Sequence, residues 1–283
     1  MGDPQPQPLD QPPPTLKRPW SWYGLAVGGL GGLVIGGLWA WWAEVAQNYL
    51  APVVLFPLLI GAGTGIAVVG LVRIAQIGHR ATIVASVLLA GSVAALGQHY
   101  VAYLESYYWH RGKAFQALPA GHDWSAVVDR MVPSFGQYLQ SQVRLGRPSL
   151  LGYPAPAWLV WLSWVVDAGL TVAAAVAVTV PAMHTPYCDR CRTWYRVTRN
   201  GKIDLPTSAR LARLAGVVLP PQTRSRRYRL SNCHGGCSAT CCELSWEDAQ
   251  GRLSVVQFWL DAAGRGQVAA ALDTVASETD EEE

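Results

Sequence analysis

Over the first two-thirds of this chain, apolar residues run together instead of recurring at the spacing of a half-buried helix or strand. Four nearly uncharged stretches cover roughly 21–42, 51–72, 81–104 and 156–183. A helix rises ~1.5 Å per residue, so about 20 apolar residues cross a ~30 Å hydrocarbon core. Each stretch meets that length. From Ser21 to Leu104 the acidic, basic and histidine side chains are Glu44, Arg73, His79, Arg80 and His99 alone. The pattern predicts a membrane α-helical protein of four transmembrane helices within 20–183. A different pattern follows in 184–276: alternating strand-like runs at Trp194–Val197, Ser238–Trp246 and Leu253–Leu260, with helical periodicity at Ser208–Val218 and Ala262–Val275. This predicts a small C-terminal α+β module.

The connecting segments read differently from one another. Residues 1–19 are rich in Pro and Gln, bury almost nothing apolar and are expected to be disordered. The first apolar run ends on Trp39, Trp41 and Trp42 with no small-residue cleavage site, so it reads as a span and not as a leader. The loop 105–155 is expected on the outer surface. It contains two short amphipathic helices: one capped by Asp123 with Trp124, Val127, Val128 and Met131 on one face, and one opened by a Ser134/Gln137 capping box. Residues 277–283 form an acidic, frayed end.

Charge then sets the orientation. Lys and Arg concentrate on the cytoplasmic side of membrane proteins. Lys17, Arg18, Arg73, Arg80, Arg190, Arg192, Arg196 and Arg199 place both termini in the cytoplasm, as in a bacterial inner membrane protein. Arg111, Lys113, Arg130, Arg144 and Arg147 oppose that arrangement but are scattered through the long loop. The net charge of +3 and the near balance of acids and bases in the tail argue against nucleic acid.

Small residues mark the expected helix contacts. Gly24, Gly28, Gly32 and Gly36 recur every fourth position, a glycine zipper whose bare face admits a second backbone. Gly61 and Gly65 offer a matching notch on the second span; the partner of the glycine face is either that span or a second copy of the chain, and the short connecting turn favours a hairpin of spans one and two. Asp167 in the fourth span and His99 in the third are the intramembrane polar candidates. Ionisable groups at depth are costly and are functional candidates by default. Asp167 is read either as structural or as part of a small oligomeric transporter or channel.

All six cysteines follow the fourth span: Cys188, Cys191, Cys233, Cys237, Cys241 and Cys242. In a reducing compartment, spaced cysteines favour metal over disulfides. Cys188-x-x-Cys191 and Cys233-x-x-x-Cys237 can each present two thiolates from a tight turn, and four thiolates suit structural zinc. His234, Cys241 and Cys242 are reserve ligands. Redox-active thiols and ordinary buried thiols are the alternatives. From about Tyr187 to Leu260 the tail resembles zinc-ribbon modules, on the strength of Cys188, Cys191, Cys233 and Cys237. It departs from them in the extra residue of the second knuckle and in the helix between the knuckles. The whole chain resembles bacterial multi-spanning membrane proteins that carry a cysteine-containing tail, a likeness that implies no activity.

Arg224, Arg226, Arg227 and Arg229 are candidates for contact with anionic lipid headgroups or a partner, or for a charged edge strand. No HExxH, phosphate loop or nucleophile elbow is present. The expectation is a membrane-anchored interaction or regulatory protein with an unknown protein partner or a second copy of itself, and no catalytic residue.

Overall fold

The computed structural model describes residues 22–47, 55–117, 133–145, 156–218, 223–235, 237, 239–248, 250–260 and 262–279. It divides into two compact units, one within Trp20–His184 and one within Thr185–Glu283. The N-terminal Pro-rich segment and the amphipathic helix expected after Asp123 lie outside the described residues.

The first unit is a bundle of α1 (Trp22–Gln47), α2 (Leu55–Ile74), α3 (Arg80–Ala117), a short α4 (Phe135–Leu145) and α5 (Ala157–Met183). Four of these helices are long and apolar enough to cross a membrane: Trp22–Ala46, Leu55–Ile74, Arg80–Trp109 and Ala157–Met183. The third continues as helix to Ala117, well into the segment expected to be loop. The boundary expected at 104 reflected the width of a bilayer, and Glu105–Ala117 has no proline and a single glycine, Gly112, too little to end a helix.

Small residues make the closest helix contacts of this bundle, Ile60, Val68, Ile83, Val87 and Val160 fill its interior beside them, and many large apolar residues face outward. Gly24, Gly28, Gly32, Gly36, Ala40 and Ala43 are the buried stripe of α1. On its other side Leu30, Val34, Leu38 and Trp41 are exposed. The glycine face lies against α3, not against α2. A methyl group on Gly32 would lie 3.0 Å from the Ser86 carbonyl oxygen, and one on Gly36 would lie 2.6 Å from that of Ala90. Gly28 faces the Ser86 side chain. Gly61 and Gly65 of α2 face α5 instead, against the backbone of Thr171 and Ala175. The expected hairpin of spans one and two is therefore replaced by two close pairs, α1 with α3 and α2 with α5. The reason is complementarity of size: α3 offers buried Thr82, Ser86, Ala90 and Ala94, and α5 offers Thr171, Ala175 and Thr179, each set spaced by four.

The buried hydroxyls do not stay unsatisfied. Thr64 donates to the Ile60 carbonyl at 2.8 Å, Ser86 to that of Thr82 at 2.8 Å, Thr171 to that of Asp167 at 2.9 Å and Thr179 to that of Ala175 at 2.8 Å. Each uses a carbonyl one turn back on its own helix, so small polar residues enter an apolar interior at little cost. At one end of the bundle, α4 begins with the expected capping box. The Ser134 amide donates to Gln137 Oε1 at 3.0 Å and the Gln137 amide to Ser134 Oγ at 3.4 Å. Phe135 then meets the rings of Tyr100 and Tyr103.

The second unit is an antiparallel meander of β1 (Tyr187–Cys188), β2 (Thr193–Lys202), β3 (Thr223–Cys233), β4 (Thr240–Asp248) and β5 (Leu253–Leu260), in that spatial order. Two helices, α6 (Leu205–Leu214) and α7 (Ala262–Thr279), cover one face. Asp204 caps α6 by accepting from the Thr207 amide at 3.4 Å. The core on that face joins Leu211 and Ala212 of α6 and Val268 and Leu272 of α7 to Leu230, Cys242, Leu244, Trp246 and Leu260 of the sheet. Among the described residues of this unit no helix covers the other face. Helix α7 runs through Thr279, so the start of the stretch expected to be frayed is helical.

Prediction: Gly61→Val places side-chain atoms in the Thr171 backbone and destabilises the protein in detergent by about 1–3 kcal/mol. Gly37→Ala, which meets nothing within 4 Å, is neutral or stabilising by up to about 1 kcal/mol. Thermal unfolding of the two purified variants checks the contrast.

Candidate metal centre

The meander explains how cysteines far apart in sequence become neighbours. Antiparallel pairing of β2 with β3 sets Tyr195 opposite Cys233. The β1–β2 turn, which holds Cys188 and Cys191, therefore lies beside the β3–β4 turn, which holds Cys233 and Cys237. Among the described residues these four form a group whose sulfurs all lie within 4.8 Å of one another. Cys188 Sγ and Cys237 Sγ are 3.5 Å apart, far beyond a disulfide bond of about 2.05 Å. A tetrahedral ion with bonds of about 2.3 Å to sulfur spaces its ligands by about 3.8 Å. The cluster matches that span, and its four soft donors suit a thiophilic ion.

The turns also aim hydrogen-bond donors at the sulfurs. The Cys191 amide donates to Cys188, the Gly235 amide to Cys233 and the Ala239 amide to Cys237. Two side chains add to this. The Thr193 hydroxyl lies 3.5 Å from Cys233 Sγ, and the Tyr195 phenol donates to Cys188. Burial raises the Cys233 thiol, but Thr193, Cys237, the Gly235 amide and Cys188 outweigh it and bring its pKa down to about 6. Burial and the hydrogen bond to Cys233 push Cys237 up to about 12. Burial, and then the adjacent sulfurs, hold the Tyr195 phenol well above its ordinary range.

The two knuckles touch. A side chain on Gly235 would collide with the Cys191 side chain, so this glycine is required by close approach. Arg192 has φ 53, a left-handed turn directly after the second cysteine that costs a side-chain-bearing residue about 1–2 kcal/mol. Thr193 and Tyr195 escaped the sequence reading. Their signal was alternation: both lie on the face of β2 that meets the cysteines.

The reserve ligands are not drawn in. His234 is exposed and is not part of the sulfur group. Cys241 is buried beside the cluster with Tyr195 and Trp259, and Cys242 is buried in the main core on the opposite face. Burial pushes both thiols up to about 12, which keeps them neutral.

The arginine run is divided by the same alternation. Arg227 and Arg229 lie on the open face with Lys202, Glu243, Ser245 and Glu247, along a groove of ≈ 530 Å³. Arg226 is on the helix-covered side, and Arg224 is in β3. Because β3 is the central strand, the edge-strand reading of this run does not hold; alternating charge marks an open face as readily as an edge. Arg229 also pairs with Glu243 at 3.8 Å.

In the bundle, His99 packs tilted against Trp164, with ring centroids 4.7 Å apart and planes at 43°, one turn before Asp167 on α5. Both His99 and Asp167 are half-buried and partnered. The chain matches no family model, no characterised protein and no solved structure.

Predictions: Gly235→Val separates the knuckles and abolishes stoichiometric metal binding by the full-length protein, read by elemental analysis. Tyr195→Phe keeps the ligands but removes a donor to Cys188, lowering metal affinity about 10–100-fold in a chelator competition.

Proposed function

We propose that the chain is a membrane-anchored regulatory or interaction protein. Four helices hold it in a bacterial inner membrane with both termini cytoplasmic, and structural zinc in the Cys188, Cys191, Cys233 and Cys237 cluster organises its C-terminal module. The observation that carries this reading is the closed sulfur cluster. A catalytic zinc keeps a position open for water or substrate, whereas four protein thiolates fill the tetrahedron. The metal then serves the fold and the module serves recognition.

The lipid setting is supported by the reversed packing of the bundle. Val165 is 66% exposed and Leu30 66% exposed, while the closest helix contacts are made by Gly, Ala, Ser and Thr, with Ile60, Val68, Ile83, Val87 and Val160 buried beside them. Water would oppose that arrangement; lipid tails accept large apolar side chains, and backbone contact then drives association. The cytoplasmic orientation rests on Lys17, Arg18, Arg73, Arg80 and the arginines that follow α5, and it agrees with thiols that need a reducing compartment. The open sheet face, with Lys202, Arg227 and Glu247, is the surface available for a partner or for anionic headgroups.

Prediction: the chain stays in the membrane pellet after alkaline carbonate extraction, and external protease removes the C-terminal module from inverted membrane vesicles but not from right-side-out ones. Release by carbonate, or digestion only in right-side-out vesicles, contradicts this reading.

A further inference from the structure

The two edges of the sheet are built differently. Beyond the two-residue β1, the β2 edge is broken by an irregular register between Val197 and Arg199 and carries Arg196, Arg199 and Lys202. Charges and bulges are the devices that stop a sheet edge from pairing with another chain. The β5 edge has neither. Leu253–Leu260 is eight residues with no charge, proline or glycine, its register with β4 is unbroken, and among the described residues no strand pairs with its far side. Leu253 is 71% exposed and Val255 48% exposed at this edge.

We propose that β5 pairs antiparallel with β5 of a second copy, joining two five-stranded sheets into one of ten strands. The choice of a second copy follows from charge and shape. A β5 edge added to the β2 edge would meet three cations and an irregular backbone, and head-to-tail addition would grow without closing. Against itself, β5 brings no like charges together and forms a closed two-fold pair. The faces must match as well, so outward residues oppose outward residues. With the greatest overlap of the two eight-residue strands, this leaves registers centred on Val256 or Gln257: the first sets Val255 opposite Gln257 of the second copy, and the second sets Gln257 opposite its own counterpart. Each outward backbone amide and carbonyl of β5 gains a partner, and Leu253 and Val255 are covered. The pairing rests on the membrane reading in one respect. Anchoring in one bilayer presents both modules on the same side and raises their effective concentration.

The test uses the full-length protein in detergent, with mass and metal content measured on the same samples. Wild type is expected to be dimeric. Val255→Lys/Gln257→Lys and Val255→Glu/Gln257→Glu each place like charges across either register, raising the dimer dissociation constant about tenfold or more. An equimolar mixture of the two variants regains the dimer, and bound metal stays at the wild-type level throughout. Retained metal with lost dimer separates this proposal from the integrity of the cluster. If either variant loses its metal, hydrogen exchange on wild type decides: protection of β5 amides rises with protein concentration while that of β3 amides does not. A wild-type monomer across micromolar concentrations, variants as dimeric as wild type, or concentration-independent β5 exchange would overturn the pairing.

Discussion

Negative charge cannot accumulate on neighbouring sulfurs unless something positive answers it, and the C-terminal module is organised around that constraint. Four cysteines converge within 4.8 Å at the end of a sheet where backbone amides, a threonine hydroxyl and a tyrosine phenol already point at them. The Thr193 hydroxyl and the Gly235 amide lower the cost of a thiolate at Cys233, and the other donors serve Cys188 and Cys237. They do not meet the charge of four thiolates; a divalent ion coordinated by all four would offset half of it and leave the rest to these donors. That ion would also tie the β1–β2 turn to the β3–β4 turn, and so hold the start of the sheet to its centre. The two helices cover one face of the sheet and its main core, whereas the cysteines cluster with Tyr195 in a separate, smaller group, the part of the module that a metal would tie together.

The bundle answers a different constraint. Its helices meet through backbones brought close by Gly28, Gly32 and Gly36 on one seam and Gly61 and Gly65 on another. The threonines and serines that line these seams satisfy themselves within their own helices. Backbone approach at small residues supplies the closest of these contacts, while many large apolar side chains, Leu30, Leu38 and Val165 among them, stay on the outside, which fits a lipid solvent and the proposed anchoring role. The open sheet face and the undefended β5 edge would then be left for recognition.

Much of this was legible in the sequence, for identifiable reasons. Span positions follow from apolar length, which depends on local composition alone. The cysteine group follows from two short spacings, because each knuckle is a local turn. The helix between the knuckles and the hairpin after them announced themselves by period. The pairing of spans was not legible from α1 alone, since a bare glycine face accepts any small-residue partner. The partner was specified elsewhere, by Thr82, Ser86, Ala90 and Ala94 at four-residue spacing. The place of Arg224–Arg229 in the sheet was equally hidden. Strand alternation separates Arg226 from Arg227 and Arg229, but says nothing about which strands lie to either side. Thr193 and Tyr195 were overlooked because their role exists only once β2 is laid against β3.

X-ray absorption at the zinc edge of the full-length protein, purified in detergent under reducing conditions, addresses the sulfur cluster most directly. The account predicts one zinc per chain, with a first shell of four sulfur scatterers at about 2.3 Å. A protein that folds with no metal, or one whose zinc is bound mainly by nitrogen and oxygen, would contradict it.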